Sequence, residues 1–507
     1  MKVNHLLLPI AFAFLTGCTA QKKAFQETDY AQVITGDALK KHLTIVAGAE
    51  MEGRNTPSRG LDKAANYLAD ELKKAGVTPG NNGSYFQPYT LAKDKSNATT
   101  LELNGQKFTE GFSIFMKPEV NNISEKDDLV YVGYGIVDGE INDYKNIDIK
   151  DKIVVMLQAN PKDYKGKFTN FTKFRHPLTQ GAKGVVLVSK RINTMAANYR
   201  PVNNNAKAAS TASNPMNMGT MIMIGDDIVH AASGIGIDEL TAMTDDKSAP
   251  MGWIDQKLKL NISNDKEFAT VNNVVGIVEG SDKKDEYIVV SAHYDHEGIK
   301  NGQIYYGADD DGSGTVSVLQ MATAFAKAKA EGKGPRRTMV FLFVSGEEKG
   351  LWGSEFYASN PIFPLAKTSA NLNIDMIGRI GDEYAGGKPN AENYVYVIGD
   401  DKLSSDLTPI TEMVNNKYAK MHLDRKYNDP KDPERIYYRS DHWNFAKNGV
   451  PAIFYFNGIH PDYHKPTDTV DKINFPLMAK RAQLVFYTAW EMANRENMVK
   501  RDIPLPK

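Results

Sequence analysis

The strongest constraint on how this chain can fold comes from the stretch Ser291–Thr315, SAHYDHEGIKNGQIYYGADDDGSGT. The preceding residues, Tyr287–Val290, are β-branched or aromatic and are typical of a buried strand. His293 and Asp295 should therefore project from the carboxyl end of that strand, where open α/β sheets carry their sites. A glycine-rich turn and an alanine-rich, helical run follow Asp309–Asp311, which places these carboxylates at a strand-to-helix junction. Such a group of oxygens suits a hard cation.

The composition limits the classes of protein to be considered. With 507 residues, 41% of them hydrophobic, the chain is long enough for two or three domains with packed cores. Lysine and arginine number 61 and aspartate and glutamate 62, so no net field favours a nucleic-acid partner. The single cysteine, Cys18, excludes an internal disulfide framework and a cysteine-rich zinc module. Any metal site must therefore be built from His, Asp and Glu.

The first residues predict a lipid-anchored bacterial protein. A charged start precedes an apolar run, Leu6–Leu15, that is too short to span a membrane. The sequence Leu-Thr-Gly-Cys ending at Cys18 resembles the lipobox at which bacterial lipoproteins are cleaved and acylated. We therefore predict a signal peptide over residues 1–17, lipidation of Cys18 and a polar tether over residues 18–37. Thr19 indicates sorting to the outer membrane of the cell envelope, facing the periplasm or the cell surface; the alternative is a plain secretory signal with a chance cysteine.

Two segments follow the tether. Residues 38–115 are expected to be the N-terminal part of the catalytic domain, with an amphipathic helix that runs from Leu61 to a stop at Gly76. Residues 116–265 contain short apolar strands and a polar surface loop over residues 193–213, and no ionisable cluster that could do chemistry. Their pattern VYVGYGI, DYKNIDIKDKIVVML and QGAKGVVLV resembles the protease-associated domain of secreted peptidases. The alternative is an ordinary small α/β module.

Residues 266–507 are predicted to complete the catalytic domain with an α/β fold. Near-continuous apolar strands alternate with helical stretches, as in a layered α/β architecture. One strand, Asn371–Ile377, carries a single charge, Asp375, which needs a partner or a metal. The other predicted strands include Thr338–Val344, Tyr394–Ile398 and Val450–Phe456.

Polar residues collect at the ends of four predicted strands and can converge on one rim. They are His293 with Asp295, Glu347 with Glu348, Asp375 and His464, joined by Asp310 from the acidic loop. Hydrolysis of an unactivated amide needs a nucleophile and an electrophile, which two zinc ions about 3.5–4 Å apart supply when a carboxylate bridges them. Asp310 can be that bridge. His293 and Asp375 can then hold one ion, and Glu348 and His464 can hold the other.

The motifs HYD, GADDDGSG, GEEKGLWGS, NIDMIGR and YHKPTDTVDKI resemble those of the co-catalytic zinc aminopeptidase family, which also contains glutamate carboxypeptidase II and the transferrin receptor. The resemblance covers Val271 to about Asn474 and includes the N-terminal MEGRNTPSRGLDKAANYLADELKKAG. It implies a mixed central β-sheet flanked by helices, with an inserted β-rich protease-associated domain. It also implies two Zn²⁺ per chain with the ligands His293, Asp310, Glu348, Asp375 and His464.

The same resemblance implies roles for residues around the metals. Glu347 would be the general base, and Asp295 would support His293 from behind. Tyr463 matches a tyrosine that helps to stabilise the oxyanion. Arg439 lies in a segment that matches a loop beside the substrate. The chain lacks the cysteine pair of the small two-cysteine members of the family.

Other sites that share parts of these motifs are excluded by the residues themselves. An EF-hand would need an acid at Gly307 and a glutamate at Val318. His296-Glu297 begins a metalloprotease helix motif that Lys300 does not complete. The chain has no G-x-S-x-G elbow, so a serine hydrolase would lack its nucleophile.

We therefore predict a zinc-dependent exopeptidase that removes N-terminal residues from peptides by means of a two-metal activated water. Carboxylates rather than an evident arginine cluster line the expected site, which favours a cationic α-amine, although Arg379 and Arg439 could bind a carboxylate. The alternatives are a dipeptide-cleaving carboxypeptidase, a glutaminyl cyclase and a non-catalytic receptor-like binding protein, which would be expected to lose ligands. The expected partners are peptide substrates and the membrane that holds the lipid anchor, with no nucleic acid. The oligomeric state stays open at this point.

Overall fold

The structure is a computed structural model that describes residues 28–94, 100–116, 123–124, 126–166, 168, 170–190, 199–202, 220–261 and 266–505. The chain forms two compact units. The first unit comprises the described residues up to Phe86 and from Val274 on, and the second unit is Gln87–Asn273. The predicted signal peptide and Cys18 lie outside the described residues.

The first unit begins with helices that precede the sheet. They are α1 (Thr28–Ala31), α2 (Gly36–Val46) and α3 (Arg59–Lys74), followed by the short strand β1 (Thr78–Pro79). The side chain of Ser58 caps α3 by accepting a hydrogen bond from the Leu61 amide at 3.1 Å. The apolar residues of α3 recur at helical spacing and are buried, so α3 confirms the helix predicted from Leu61 on.

Residues 28–37, which were predicted to be part of a polar tether, are folded. Tyr30, Ala31 and Ile34 are buried. The ring of Tyr30 stacks on Trp490 with 5.9 Å between centroids. A few apolar side chains in an otherwise polar stretch are therefore enough to dock this segment on the first unit.

The second unit is rich in short strands. Its strands are β2 (Phe86–Asp94), β3 (Thr100–Leu103), β4 (Gln106–Phe108), β5 (Phe112–Met116), β6 (Leu129–Tyr131), β7 (Val137–Asp138), β8 (Ile141–Asn142), β9 (Ile153–Leu157), β10 (Gly184–Val188), β11 (Arg200–Pro201), β12 (Thr220–Ile224), β13 (Gly252–Ile254) and β14 (Leu258–Asn261). Its helices are α4 (Asn170–Thr179), α5 (Asp226–Ser233) and α6 (Ile237–Asp245). One sheet has the order β13-β6-β9-β10-β12-β5 and another the order β14-β3-β4.

The division between the units lies at Phe86 and Asn273, whereas the predicted boundaries were residues 115 and 265. Strand pairing explains the difference. β3 pairs with β14 and β5 pairs with β12, both antiparallel, so residues 100–116 belong to the second unit. Of the predicted loop 193–213, only residues 199–202 are described, and β11 within it pairs with β2. The assignment of this unit as a protease-associated domain stays a prediction.

The main sheet of the first unit is mixed. Its strands, with the hairpin β17–β18, are β15 (Lys266–Val278), β16 (Lys283–His293), β17 (Gly298–Lys300), β18 (Gln303–Tyr305), β19 (Arg337–Val344), β20 (Thr368–Ile374), β21 (Tyr394–Ile398), β22 (His422–Asp424) and β23 (Ala452–Phe456). The central order is β15-β19-β16-β20-β23-β21-β22. β16 pairs parallel with β19 and β20, and β20 pairs parallel with β23. β15 and β21 run antiparallel to their neighbours β19 and β23.

Helices cover both faces of this sheet. They are α7 (Gly314–Ala330), α8 (Trp352–Ser359), α9 (Asp382–Ala385), α10 (Leu407–Val414), α11 (His442–Ala446) and α12 (Phe475–Asn494). Successive residues of β19 point to opposite faces. Leu342 packs in one cluster with Tyr357 of α8. The ring centroid of Phe341 lies 5.9 Å from that of Phe325 of α7. The ring centroid of Phe325 lies 4.9 Å from that of Phe486 of α12. The predicted α/β fold, a mixed sheet flanked by helices, is confirmed. Within the described part of the chain, no helix combines the length and the apolar character needed to cross a membrane.

Candidate metal centre

Four parallel strands bring the candidate residues to one edge of the main sheet. The carboxyl ends of β16, β19, β20 and β23 lie side by side, because these strands run in the same direction. His293 ends β16, and Asp375 directly follows β20. Glu347 and Glu348 lie in the turn after β19, and His464 lies in the segment after β23.

Two clusters of metal-binding side chains share Asp310. In the first cluster, Nε2 of His293 lies 3.3 Å from Oδ1 of Asp310 and 3.6 Å from Oδ1 of Asp375. In the second cluster, Nε2 of His464 lies 3.1 Å from Oδ2 of Asp310 and 3.0 Å from Oε2 of Glu348. The structure therefore brings all five predicted ligands together, and each carboxylate oxygen of Asp310 faces a different cluster.

The donor atoms of both clusters fit divalent cations. Nε2 of His293, Oδ2 of Asp310 and Oε1 of Glu348 are buried and have no hydrogen-bond partner among the described residues. Burying such polar atoms without a partner costs free energy, and a bound cation would remove that cost. Imidazole nitrogens with carboxylate oxygens form the donor set of protein zinc sites that lack cysteine.

The charges within the clusters perturb one another strongly. Burial opposes ionisation of Asp310, but the imidazoles of His293 and His464 hold the pKa of that carboxyl well below its usual range. Burial likewise opposes protonation of His464, but the carboxylates of Asp310 and Glu348 raise its pKa to about 10. Without a cation, protonated imidazoles thus supply the positive charge that the carboxylates require.

Asp295 supports the site through two loops as well as through His293. Nδ1 of His293 contacts the backbone carbonyl of Asp295 at 3.2 Å, and the carboxylate Oδ1 lies at 3.6 Å. The same carboxylate accepts hydrogen bonds from the amide of Glu347 at 3.1 Å and from the hydroxyl of Thr56 at 3.2 Å. The hydroxyl of Thr56 in turn accepts one from the amide of Gly346 at 3.1 Å. Asp295 therefore fixes the turn that carries Glu347.

Glu347 lies beside the first cluster without completing it. Its Oε2 is 3.9 Å from Nε2 of His293, and its side chain lines a cavity together with Asp310 and Asp375. Burial raises the pKa of Glu347 well above its ordinary value, and the neighbouring carboxylates of Asp375 and Glu348 raise it further. A divalent cation in the clusters would act in the opposite direction. Glu347 is thus positioned beside the first cluster, where a bound ligand would meet its carboxylate.

Tyr463 and Arg439 also line this cavity. The ring of Tyr463 stacks on the ring of His464 with 3.9 Å between centroids. The hydroxyl of Tyr463 accepts a hydrogen bond from Nη2 of Arg439 at 3.4 Å. Burial raises the pKa of Tyr463 far above its ordinary value, so its hydroxyl stays protonated and able to donate.

Five of the ten residues that line the cavity beside the clusters are apolar. The cavity has a volume of ≈ 350 Å³ including its open mouth. Apart from the charged residues already described, its walls are Met376, Ile436, Phe454, Phe456 and Ile459. A ligand there would place a charged group at the carboxylates and an apolar group against the aromatic wall.

Arg54 is a site residue that the motifs alone did not reveal. Its guanidinium is fully buried and donates to the carbonyls of Val46, Tyr294, Tyr306 and Gly307 at 2.6–2.9 Å. Burial lowers the pKa of Arg54 to about 10, so the group keeps its charge at neutral pH. Arg54 therefore joins the N-terminal segment to both ligand-bearing loops. The signals for this role in the sequence were the charge of Arg54 and its place inside the segment MEGRNTPSRG.

A chain of hydrogen bonds through the sheet ends on Asp375. Asn371 donates to Ser291 at 2.9 Å, Ser291 to Asn373 at 2.7 Å, Asn373 to Ser440 at 2.9 Å, and Ser440 to Oδ2 of Asp375 at 2.6 Å. The signal in the sequence was the alternation Asn-Leu-Asn-Ile-Asp, which places polar side chains on one face of β20. This chain of hydrogen bonds orients Asp375, as the hydrogen-bond partners of metal-binding carboxylates do.

Asp468 holds the acidic loop from the other side. Its Oδ2 accepts hydrogen bonds from the amides of Asp309 at 3.0 Å and Asp310 at 3.1 Å. Nε2 of His460 lies 3.1 Å from Oδ2 of Asp309. A further acid near the second cluster, Glu297, pairs with Lys300, so its charge is already compensated.

A mixed α/β sheet that gathers imidazoles and carboxylates at the ends of its parallel strands defines the class of metal-dependent hydrolase domains. Residues 273–489, which contain all five candidate ligands, match the sequence profile of Peptidase family M28. The matched segment is less than half of the chain.

Relatives with curated names match a part of the chain of similar length. A probable leucine aminopeptidase of Trichophyton verrucosum is 32% identical over 219 residues, which are 42% of this chain and 55% of that protein. Leucine aminopeptidase 1 of Sclerotinia sclerotiorum is 28% identical over 230 residues, which are 44% of this chain and 56% of that protein. The chain thus spans about half the length of the curated relatives that it matches.

Solved structures resemble a larger part of the chain. An aminopeptidase from Aneurinibacillus sp. strain AM-1 has a TM-score of 0.55 at 20% identity and covers 95% of this chain and 100% of its own. A zinc aminopeptidase from Bacillus subtilis has a TM-score of 0.51 at 18% identity and covers 93% of this chain and 99% of its own. At these identities the likeness concerns the fold.

Proposed function

We propose that the chain is a zinc-dependent aminopeptidase that binds two zinc ions. The observation that carries the proposal is Asp310, whose two carboxylate oxygens each face a separate cluster of zinc-type donors. One ion would be held by His293, Asp310 and Asp375. The other would be held by Asp310, Glu348 and His464. The names of the relatives, which are leucine aminopeptidases, and of the Bacillus subtilis protein, which is a zinc aminopeptidase, support this proposal.

The residues divide the work of peptide hydrolysis among them. When bound, the zinc ions supply Lewis acidity, which polarises the scissile carbonyl and acidifies water. Glu347 takes a proton from the attacking water and passes it to the leaving amine, as its place in the cavity beside the first cluster allows. Tyr463 donates a hydrogen bond from its phenolic hydroxyl to the developing oxyanion. Arg439 would lie beside the substrate, because it lines the same cavity.

The charges around the cavity favour a free N-terminal amine. Glu347 and Asp375 line it and offer a cationic amine an opposite charge. Of the two arginines that could have bound a terminal carboxylate, Arg379 is already paired with Asp462, with Nη2 and Oδ2 3.0 Å apart. Arg439 is the other arginine that could bind a terminal carboxylate. A dipeptide-cleaving carboxypeptidase is therefore the second candidate.

One peptide in three forms separates these two functions. The peptide, several residues long with an N-terminal leucine, is tested free at both ends, N-acetylated and C-amidated. Acetylation removes the amine charge, and we expect a loss of about 2–5 kcal/mol, which is tens to thousands of fold in kcat/KM. Amidation should change kcat/KM less than about threefold, because an aminopeptidase does not read that end.

The arginine provides the matched control for this measurement. Arg439→Gln should leave the cost of amidation small if the enzyme is an aminopeptidase. Rapid cleavage of the acetylated peptide, combined with a large cost of amidation that disappears in Arg439→Gln, would show a carboxypeptidase instead. The products, separated by mass, identify the bond that is cleaved in each case.

We also propose that the protein is a lipoprotein of the bacterial cell envelope, anchored through Cys18 and sorted to the outer membrane. The motif ending at Cys18 supports this, since two or more acyl chains give stable membrane attachment. In cells, Cys18→Ser should move the protein from the detergent phase to the aqueous phase or leave it unprocessed. Partition of the variant into detergent at the parent's level and mobility would contradict the anchor. Membrane fractionation of the parent tests the sorting.

A further inference from the structure

His296 is a buried imidazole that the proposed function leaves without a role. Its side chain is fully buried. Neither ring nitrogen has a hydrogen-bond partner within the described ranges of the chain. Two orphaned ring nitrogens in a protein interior carry a desolvation cost, so their place in this structure needs a cause.

The surroundings of Nδ1 supply that cause. Nδ1 of His296 lies 2.7 Å from Oε1 of Glu348 and 3.8 Å from Oδ2 of Asp310. Both of these oxygens are themselves buried and without a hydrogen-bond partner among the residues described. Three unpartnered donor atoms therefore converge although none is aligned to hydrogen-bond another. Donor atoms bound to a tetrahedral zinc ion at about 2.0–2.2 Å lie roughly 3.2–3.6 Å apart, and the observed separations bracket that range.

The backbone holds this imidazole in place. The amide of His296 donates to the carbonyl of Arg54 at 3.1 Å. Gly307, at φ +57°, presses against the ring, because a Cβ at that glycine would lie 2.5 Å from Cγ of His296. The ring of His464 stands edge-on to it at 5.9 Å between centroids. Both imidazoles thus border the same pair of carboxylates.

We propose that Nδ1 of His296 is a further ligand of the cation in the second cluster, beside Asp310, Glu348 and His464. This inference rests on the proposed two-zinc function. It gives the second cluster two imidazoles, against one in the first cluster. The two imidazoles also differ in exposure, since the side chain of His464 is 36% exposed and that of His296 is 0% exposed. His296 would therefore be the more shielded of the two imidazole donors that hold the ion.

Metal binding without substrate tests the assignment. The probe is Zn²⁺ alone, titrated into apo-protein in competition with a chelator, so that each of the two equivalents has its own dissociation constant. The variants are His296→Ala and His296→Asn. Asparagine places an N–H donor near the position of Nδ1 but removes the imidazole lone pair. We expect both variants to weaken one equivalent by about 100-fold or more, which exceeds the 10–100-fold typical of groups behind the ligands, and to leave the other within about threefold.

A matched control and a second readout distinguish the loss of a ligand from unfolding of the variant. His442 is equally buried with two unpartnered ring nitrogens, but its ring stacks on Phe454 at 4.9 Å between centroids rather than facing a carboxylate pair. His442→Asn should keep both equivalents. With Co²⁺ in place of zinc, the visible absorption of the second equivalent should change in the His296 variants, because the bands report the ligand set. An unchanged Co²⁺ spectrum in both variants would overturn the assignment.

The outcomes separate this inference from the proposed function. If His296→Asn binds both zinc equivalents like the parent while His296→Ala does not, His296 only donates a hydrogen bond to Glu348 and the ligand assignment is overturned. If both variants match the parent, it is overturned as well. A parent that binds a single equivalent would overturn the two-zinc function. In that case, loss of the single equivalent in both variants would still support His296 as a ligand, and its retention would overturn it.

Discussion

Replacement of Glu347 by glutamine should abolish most turnover while leaving the metals in place. Glutamine keeps the shape of the side chain but cannot accept a proton, and general base catalysis contributes about 10²–10⁴-fold. We therefore expect kcat to fall by that factor, or about 2.7–5.5 kcal/mol, with KM nearly unchanged. Zinc content should stay at the parent's value, since Glu347 belongs to neither cluster. Steady-state kinetics and metal analysis of the same preparation measure both effects.

The control for this variant is Glu140→Gln, which makes the same chemical change at an exposed position of the second unit. It should behave as the parent does. Turnover of Glu347→Gln within about tenfold of the parent would show that the carboxylate is structural. Loss of zinc together with turnover would make Glu347 a ligand rather than a base.

The second large effect is expected from Asp310→Asn. Asparagine offers one carbonyl oxygen and no charge, so it cannot serve both clusters as the carboxylate does. We expect at least one zinc equivalent to weaken by more than about 100-fold, beyond the 10–100-fold typical of groups behind the ligands, and activity to fall with it. Chelator competition and activity at a fixed free zinc concentration measure the two losses.

Asp285→Asn provides the matched control, because Asp285 is an exposed residue of β16, the strand that ends in His293. It should retain both equivalents. Two tight equivalents in Asp310→Asn would contradict the bridging position of Asp310. Circular dichroism of the apo-proteins distinguishes a metal defect from a folding defect.

The fold could be predicted where a segment has a clear hydrophobic pattern. The strands β16 and β19 contain continuous apolar runs, Tyr287–Val290 and Met339–Val344, because helices cover both faces of the sheet, and such runs are clear signals. Helix α3 was equally clear from its periodicity. The division at Phe86 was missed because β3 and β14 are paired across a long stretch of chain, and local patterns carry no information about distant partners.

The candidate site could be predicted to the extent that its residues follow strands. All five proposed ligands lie at or after strand ends, and the shared edge brings them together. Arg54 and Thr56 could not be assigned in this way, because their roles depend on loops that contact them only in the folded state. His296 was set aside because the helix motif that it begins is incomplete. In the structure it follows a strand end instead, where helical spacing has no bearing.

The hydrogen bonds of Arg54 also bear on how long the chain segment between Arg54 and Tyr294 can be. The link from Arg54 to Tyr294 closes a loop of 240 residues, and most of that separation is the second unit. The entropy of closing a flexible loop grows only with the logarithm of its length, so a fourfold longer loop costs roughly 1.2 kcal/mol. A hydrogen bond to a charged group contributes about 1.5–3 kcal/mol, and Arg54 donates to four carbonyls. Chain entropy therefore permits an insertion of this size between the N-terminal segment and the metal-binding loops without opening the link between them.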